Sequence, residues 1–118
     1  LITSQKILSG LVVNQKRIEL NLSQYASFAA TENILLEAVK KGANRQEIHQ
    51  LLKDISMKAW QEVQIGNNNP MLELLINNTE LNKYVDELMI RNLMKVQVHL
   101  GDAPQRAKKL AKQIRKLR

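Results

Sequence analysis

"ATENILLEAVKKGANRQEIHQLLKDI", residues 30–55, is the stretch that decides the fold. Ile34, Leu35, Ala38 and Val39 recur at helical spacing, and Glu32, Asn33, Glu37, Lys40 and Lys41 fall between them, so the spacing predicts a helix with one apolar stripe. Lys40 and Lys41 place positive charge where the last free carbonyls carry partial negative charge. Gly42 follows, the residue that turns left-handed without steric cost. Asn44 then offers a side-chain acceptor for the first amides of a second helix beginning at about Arg45, and Glu47 is spaced to reach back to the cap amide. The buried stripe of that second helix is expected to be Ile48, Leu51, Leu52, Ile55 and Ala59. Two amphipathic helices joined by so short a turn predict a helical hairpin, a scaffold element in its own right.

The rest of the composition agrees. A chain of 118 residues with 44% apolar side chains can bury one modest core. Tyr25, Phe28, Trp60 and Tyr84 are its only aromatic residues, so that core must be aliphatic. Four glycines and two prolines are too few for a turn-rich β fold, and an all-α class is expected. The absence of cysteine excludes disulfides and thiolate metal sites and fits a reducing compartment. No apolar run approaches the roughly 20 residues that span a bilayer, so no membrane partner is expected. Leu1 opens the chain inside an already helical pattern, and the expectation is an excised piece of a longer protein.

The net charge of +7 suggests nucleic acid until it is located. Arg106, Lys108, Lys109, Lys112, Arg115, Lys116 and Arg118 are seven cations with no acid among them, which leaves eleven basic residues against eleven acids in the body. Leu110, Ile114 and Leu117 recur through this tail at spacings of four and three, predicting a terminal helix whose narrow apolar edge docks while the cations stay in water. No aromatic side chain is interleaved for base stacking, so nucleic acid is not the expected partner.

Along the chain, residues 1–13 present Ile7, Leu8, Leu11 and Val12 on one face and read as the end of a longer helix. Asn14 caps a short successor in which Ile18, Leu22 and Tyr25 recur. After the hairpin, whose second helix should run to about Val63, the loop Gly66 to Pro70 gives Asn69 as cap and Pro70 as first helical residue. A short helix over 71–76 follows. Asn77 and Asn78 should break it, with Thr79 capping a further helix that buries Leu81, Tyr84, Val85, Leu88 and Met89. Val96 and Val98 alternate with polar residues over too short a span to read as a strand. Gly101 and Asp102 announce the last helix, with Pro104 in its first turn.

Chemistry requires groups that converge, and few candidates exist. His49 and His99 lie far apart without metal-ligand spacing, so no metal is expected. Ser23 and Ser27 lack the flanks of a nucleophile elbow and read as caps or helix starts. Gly66 is followed by asparagines, not by the spaced glycines and lysine of a phosphate loop. Asp86 and Glu87 are adjacent and point to different sides of a helix, which argues against a carboxylate pair. Trp60 and Met57 read as core or interface filler.

Three blocks nevertheless carry a resemblance. "LSGLVVNQKRIELNL" (8–22), "FAATENILLEAVKKGANRQEIHQLLKDIS" (28–56) and "GDAPQRAKKL" (101–110) resemble, in order, the C-terminal region of the adenylosuccinate lyase family, especially its eukaryote-like branch, within the fumarase and aspartase superfamily. The middle block is the most specific, with Ala30, Thr31, Glu32, Asn33 and Ile34 followed by Arg45, Gln46 and His49. Residues 88–101 and the basic end depart from the family's text, and Asn44 stands where relatives have Ser.

The resemblance implies a small multi-helix C-terminal domain over 23–118, preceded over 1–22 by the end of a long central-bundle helix and its connection. It also implies a cytoplasmic homotetramer without cofactor or metal, which eliminates fumarate from adenylosuccinate and from the succinylocarboxamide ribotide of purine synthesis. The catalytic histidines and the mobile serine loop of the family have no match in these residues. No catalytic residue is therefore carried over, substrate is expected to bind mainly to upstream domains, and the segment alone should be inactive. Thr31, Glu32, Asn33, Arg45, Gln46 and His49 are family-matching positions of expected structural role. Two other readings compete: a superfamily member acting on a different substrate, disfavoured by the text from Thr31 to Ile34, and a stand-alone helical interaction or RNA-binding module working through its tail.

Overall fold

The computed structural model describes residues 1–95 and 101–116, and every regular element among them is a helix. They are α1 (Ile2–Ser9), α2 (Gln15–Ala29), α3 (Thr31–Lys40), α4 (Arg45–Gln64), α5 (Met71–Ile76), α6 (Thr79–Asn82), α7 (Glu87–Leu93) and α8 (Ala103–Lys116). The all-α expectation holds.

The hairpin forms as the sequence predicts. Gly42 adopts φ 92°, and the amide of Ala43 donates to the carbonyl of Ala38 at 3.1 Å, so the chain reverses in a Schellman-type turn that satisfies the end of α3. Asn44 Oδ1 accepts from the amides of Gln46 and Glu47 at 2.9 and 3.4 Å and opens α4. The Glu47 carboxylate meets the Asn44 side-chain amide at 3.4 Å, a contact between side chains in place of the expected return to the cap's backbone. Ile34, Leu35 and Ala38 of α3 are buried against Ile48, Leu52, Ile55 and Ala59 of α4. Ala38 and Ala59 have no accessible surface, which lets the two helices approach closely.

The remaining core is laid over this pair. α5 packs on α4 and α7 packs on α5 and α3, which buries Met71, Leu75, Leu81, Val85 and Ile90 completely. Each such aliphatic side chain contributes roughly 1.5–3 kcal/mol by leaving water. α2 joins through Asn69, whose Nδ2 donates to the Gln24 carbonyl at 2.6 Å and to Ser27 Oγ at 2.7 Å while its Oδ1 accepts from the Met71 amide at 2.9 Å. Phe28 packs edge-on against Trp60, with ring centroids 5.7 Å apart, and Tyr25 tilts against the same indole at 5.9 Å.

Several expectations are corrected. The first helix ends at Ser9 and turns at Gly10, so 1–13 is not one helix. α2 is longer than foreseen, and Ser23 and Ser27 lie inside it: Ser23 Oγ donates to the Leu20 carbonyl at 2.7 Å. Pro70, not Asn69, holds the cap position of α5, and Asn69 one residue earlier accepts from the Met71 amide at 2.9 Å. Asn78, not Thr79, caps α6, accepting from the Leu81 amide at 2.9 Å. The helix foreseen beyond Thr79 is two pieces, because Asp86 Oδ1 accepts from the Met89 amide at 2.8 Å and starts α7 in a new phase. That change buries Ile90 and leaves Leu88 71% exposed. Leu51 is half-buried and Val63 completes the stripe of α4 instead. The apolar edge of α8 is not docked, with Leu110 and Ile114 58% and 54% exposed. The readings of Val96, Val98, His99 and Leu117 lie outside the described residues.

Two substitutions probe this account. Asn69→Ala removes three side-chain hydrogen bonds at a half-buried joint and should cost about 1–3 kcal/mol in urea unfolding, with faster amide exchange in the last turns of α2. Gly42→Ala should cost roughly 1–2 kcal/mol from backbone strain alone, because an added Cβ there would meet no atom within 4 Å. A Gly42→Ala variant as stable as the parent would contradict the positive φ.

Candidate functional site

The hairpin brings part of the family-matching set to one place. A cleft of about 160 Å³ lies between α3 and α4, lined by Thr31, Glu32 and Leu35 on one wall and His49, Leu52, Lys53 and Ser56 on the other. Thr31 and Glu32 open α3, while His49, Lys53 and Ser56 follow one another at spacings of four and three on α4 and so share a face. Arg45, the first residue of α4, reaches back toward the start of α3, its guanidinium 3.5 Å from Glu32 Oε1.

The polar groups of the cleft are largely occupied with the fold. Thr31 Oγ1 donates to the Phe28 carbonyl at 2.9 Å, and Ser56 Oγ donates to the Leu52 carbonyl at 2.7 Å. Both hydroxyl hydrogens are committed to backbone, so neither oxygen is set up as a nucleophile with a base behind it. His49 is exposed on α4, and no group of three or more potential metal ligands occurs among the described residues. Lys83 is held above its ordinary pKa by its hydrogen bond to Glu80 and by that carboxylate's charge, but both are exposed and neither lines the cleft.

Of the six positions, Thr31, Glu32 and His49 meet in the cleft and Arg45 joins them through Glu32. Asn33 is half-buried on α3 outside the cleft's lining. Gln46 lines a different groove on α4, and its amide is engaged by the Asn44 cap. Lys53 and Ser56 are the lining residues that sequence reasoning missed, although their spacing from His49 is the signal that would have found them. Because the side chains of Arg45 and Glu32 are 57% and 61% exposed, their ion pair is worth little. Glu32→Gln should therefore change unfolding stability by less than about 1 kcal/mol; a larger loss would make the pair structural.

Residues 27–110 match the family model described as the C-terminus of adenylosuccinate lyase. Among curated relatives, the adenylosuccinate lyase of Archaeoglobus fulgidus is 28% identical over 107 residues, 91% of this chain and 23% of that protein. That of Saccharomyces cerevisiae is 34% identical over 108 residues, 91% of this chain and 22% of its own length. That of Methanocaldococcus jannaschii is 30% identical over 95 residues, covering 80% and 20%. The chain thus spans between a fifth and a quarter of the length of these relatives. With a match that takes in α3 to α7 and the first half of α8, the chain belongs to the adenylosuccinate lyase family and corresponds to its C-terminal part.

Proposed function

We propose that the polypeptide carrying this segment is an adenylosuccinate lyase, which cleaves adenylosuccinate to AMP and fumarate and the succinylocarboxamide ribotide to its carboxamide product and fumarate by β-elimination. The observation that carries this reading is the family match over residues 27–110, centred on the hairpin whose text is the most specific part of the resemblance. The reaction needs a base to remove a proton beside a carboxylate and an acid to assist the departing nitrogen. Thr31 and Ser56 spend their hydrogens on backbone and His49 stands exposed on α4, so the chemistry is assigned to upstream domains.

In this reading residues 1–22 are the end of a central-bundle helix with its connection, and 23–118 form the C-terminal domain. Burial supports the division: every residue through Ser23 is exposed, and half-buried positions begin at Gln24. The apolar side chains of Ile7, Leu8, Leu11 and Val12 would then meet bundle partners in a homotetramer. The enzyme is cytoplasmic, uses no cofactor, and binds its purine nucleotide mainly through upstream domains. Thr31, Glu32, Asn33, Arg45, Gln46 and His49 serve the hairpin's structure. A stand-alone RNA-binding module acting through α8 is not favoured by a match that covers the hairpin and the core.

The test is fumarate release by the full polypeptide from both substrates, with residues 1–118 alone releasing none. Turnover of argininosuccinate in place of adenylosuccinate would overturn the reading. His49→Ala in the full polypeptide should leave kcat and KM within about threefold, since this reading gives the ring a structural role in the hairpin; a hundredfold fall in kcat would place it in the chemistry.

A further inference from the structure

Two surfaces of this chain are unsatisfied in complementary ways. An open groove of about 670 Å³ runs along α4, lined by Glu47, Gln50, Leu51, Asp54, Ile55 and Lys58, with Gln46 and Asn78 at its border. Leu51 and Ile55, four residues apart, give it an apolar floor. Glu47 and Asp54, two helical turns apart, stand along one side, and no ion pair among the described residues uses either. Their polar contacts are to uncharged groups, Glu47 with the Asn44 side-chain amide and Asp54 with Gln50 Nε2 at 2.9 Å.

α8 is the counterpart. Each of its residues is exposed, and its cations form no ion pair among the described residues. Ala103, Ala107, Leu110, Ala111 and Ile114 share one narrow face, a stripe that fits a single partner helix better than a broad core. Arg106 borders that face on one side, and Lys108 and Arg115, again two turns apart, border it on the other. The alanines permit close approach, and the long cationic side chains can lie along the apolar contact while their heads reach the carboxylates.

We propose that α8 folds back as a strap and docks its apolar edge in the α4 groove of its own chain, with the bordering cations answering Glu47 and Asp54. Lengths agree: the 14 residues of α8 extend roughly 21 Å, and the stripe from Gln46 to Lys58 roughly 20 Å. The tether also reaches. From Lys95 to Ala103 the chain can span at most roughly 27 Å. α7 packs on α5 and α5 on α4, so the groove lies roughly two interhelical spacings, about 20 Å, from the end of α7. A connection of so few residues keeps α8 near the groove of its own chain, which favours it over that of a second copy. Lys58 sits at the far end of the groove and sets a polarity, since a cation beside it would be repelled.

The experiment is a spin-label distance measurement in the full polypeptide, with labels on Gln61→Cys and Lys112→Cys, both outside the contact, and other cysteines replaced. Docking predicts a narrow distance peak within roughly 25 Å. Glu47→Lys with Asp54→Lys should reduce that peak severalfold at low salt, and adding Lys108→Glu with Arg115→Glu should restore it. All are exposed positions, and helicity by circular dichroism checks that the variants fold. The strap is overturned by absence of the peak, by a peak indifferent to the charge reversals, or by one that vanishes on dilution with unlabelled protein, which would assign the groove to a neighbouring copy's α8.

Discussion

The contact between α3 and α4 is the one on which the other packing depends. Ile34, Leu35 and Ala38 meet Ile48, Leu52, Ile55 and Ala59 across a turn of four residues, and this pair presents the surface on which α5 and α7 are laid. Local sequence makes it possible at low entropic cost. The turn is short, Gly42 supplies the left-handed residue, and Asn44 satisfies two amides at once. The long-range contacts of α5, α6 and α7 then form against a surface already assembled, which suits a small core whose stability is the difference of large terms.

Short amide and carboxylate side chains hold much of the remaining structure. Asn14, Asn44, Asn69, Asn78 and Asp86 each hold the first amides of a helix, so five of the helix starts rest on a side-chain oxygen. This matters most for α5, α6 and α7, which have between four and seven residues and could not persist as isolated helices. Asn69 goes further, because its amide nitrogen also secures α2. One residue therefore fixes both the start of α5 and the angle at which α2 enters the domain.

The hairpin is legible in the sequence because every signal there is local. The stripe, the basic last turn, the glycine and the cap all lie within a few residues of what they control. Asn69's hold on Gln24 and Ser27 is not legible, since those partners are 45 and 42 positions away. The split between α6 and α7 escapes for a different reason. Asp86 invites weighing as a catalytic carboxylate before it is weighed as a cap, and an unbroken helical phase then carries Leu88 into the core where Ile90 belongs. In the cleft, Thr31 and His49 are singled out by resemblance, whereas Lys53 and Ser56 follow from the periodicity of α4 and need the fold to show which face matters. The docked edge expected for α8 comes from its own pattern, which states that an apolar stripe wants a partner but not where one is.

The distribution of exposed apolar side chains separates two kinds of surface. On α1, the link that follows it and the first half of α2, Ile2, Ile7, Leu8, Leu11, Val12, Val13, Ile18, Leu20 and Leu22 are exposed in near succession, on a stretch with almost no packing of its own. So much apolar surface in one segment exceeds what a lone soluble domain ordinarily leaves in water. It is the form expected of a helix whose core is supplied by other helices. α8 differs, because its apolar edge is narrow and its cations are many. Such a helix can sit in water unaided or close reversibly on one groove, whereas the apolar run over residues 1–22 is too broad for a single groove to cover. The two ends of the segment thus have opposite physical demands, and the hairpin between them carries the core that the chain closes for itself.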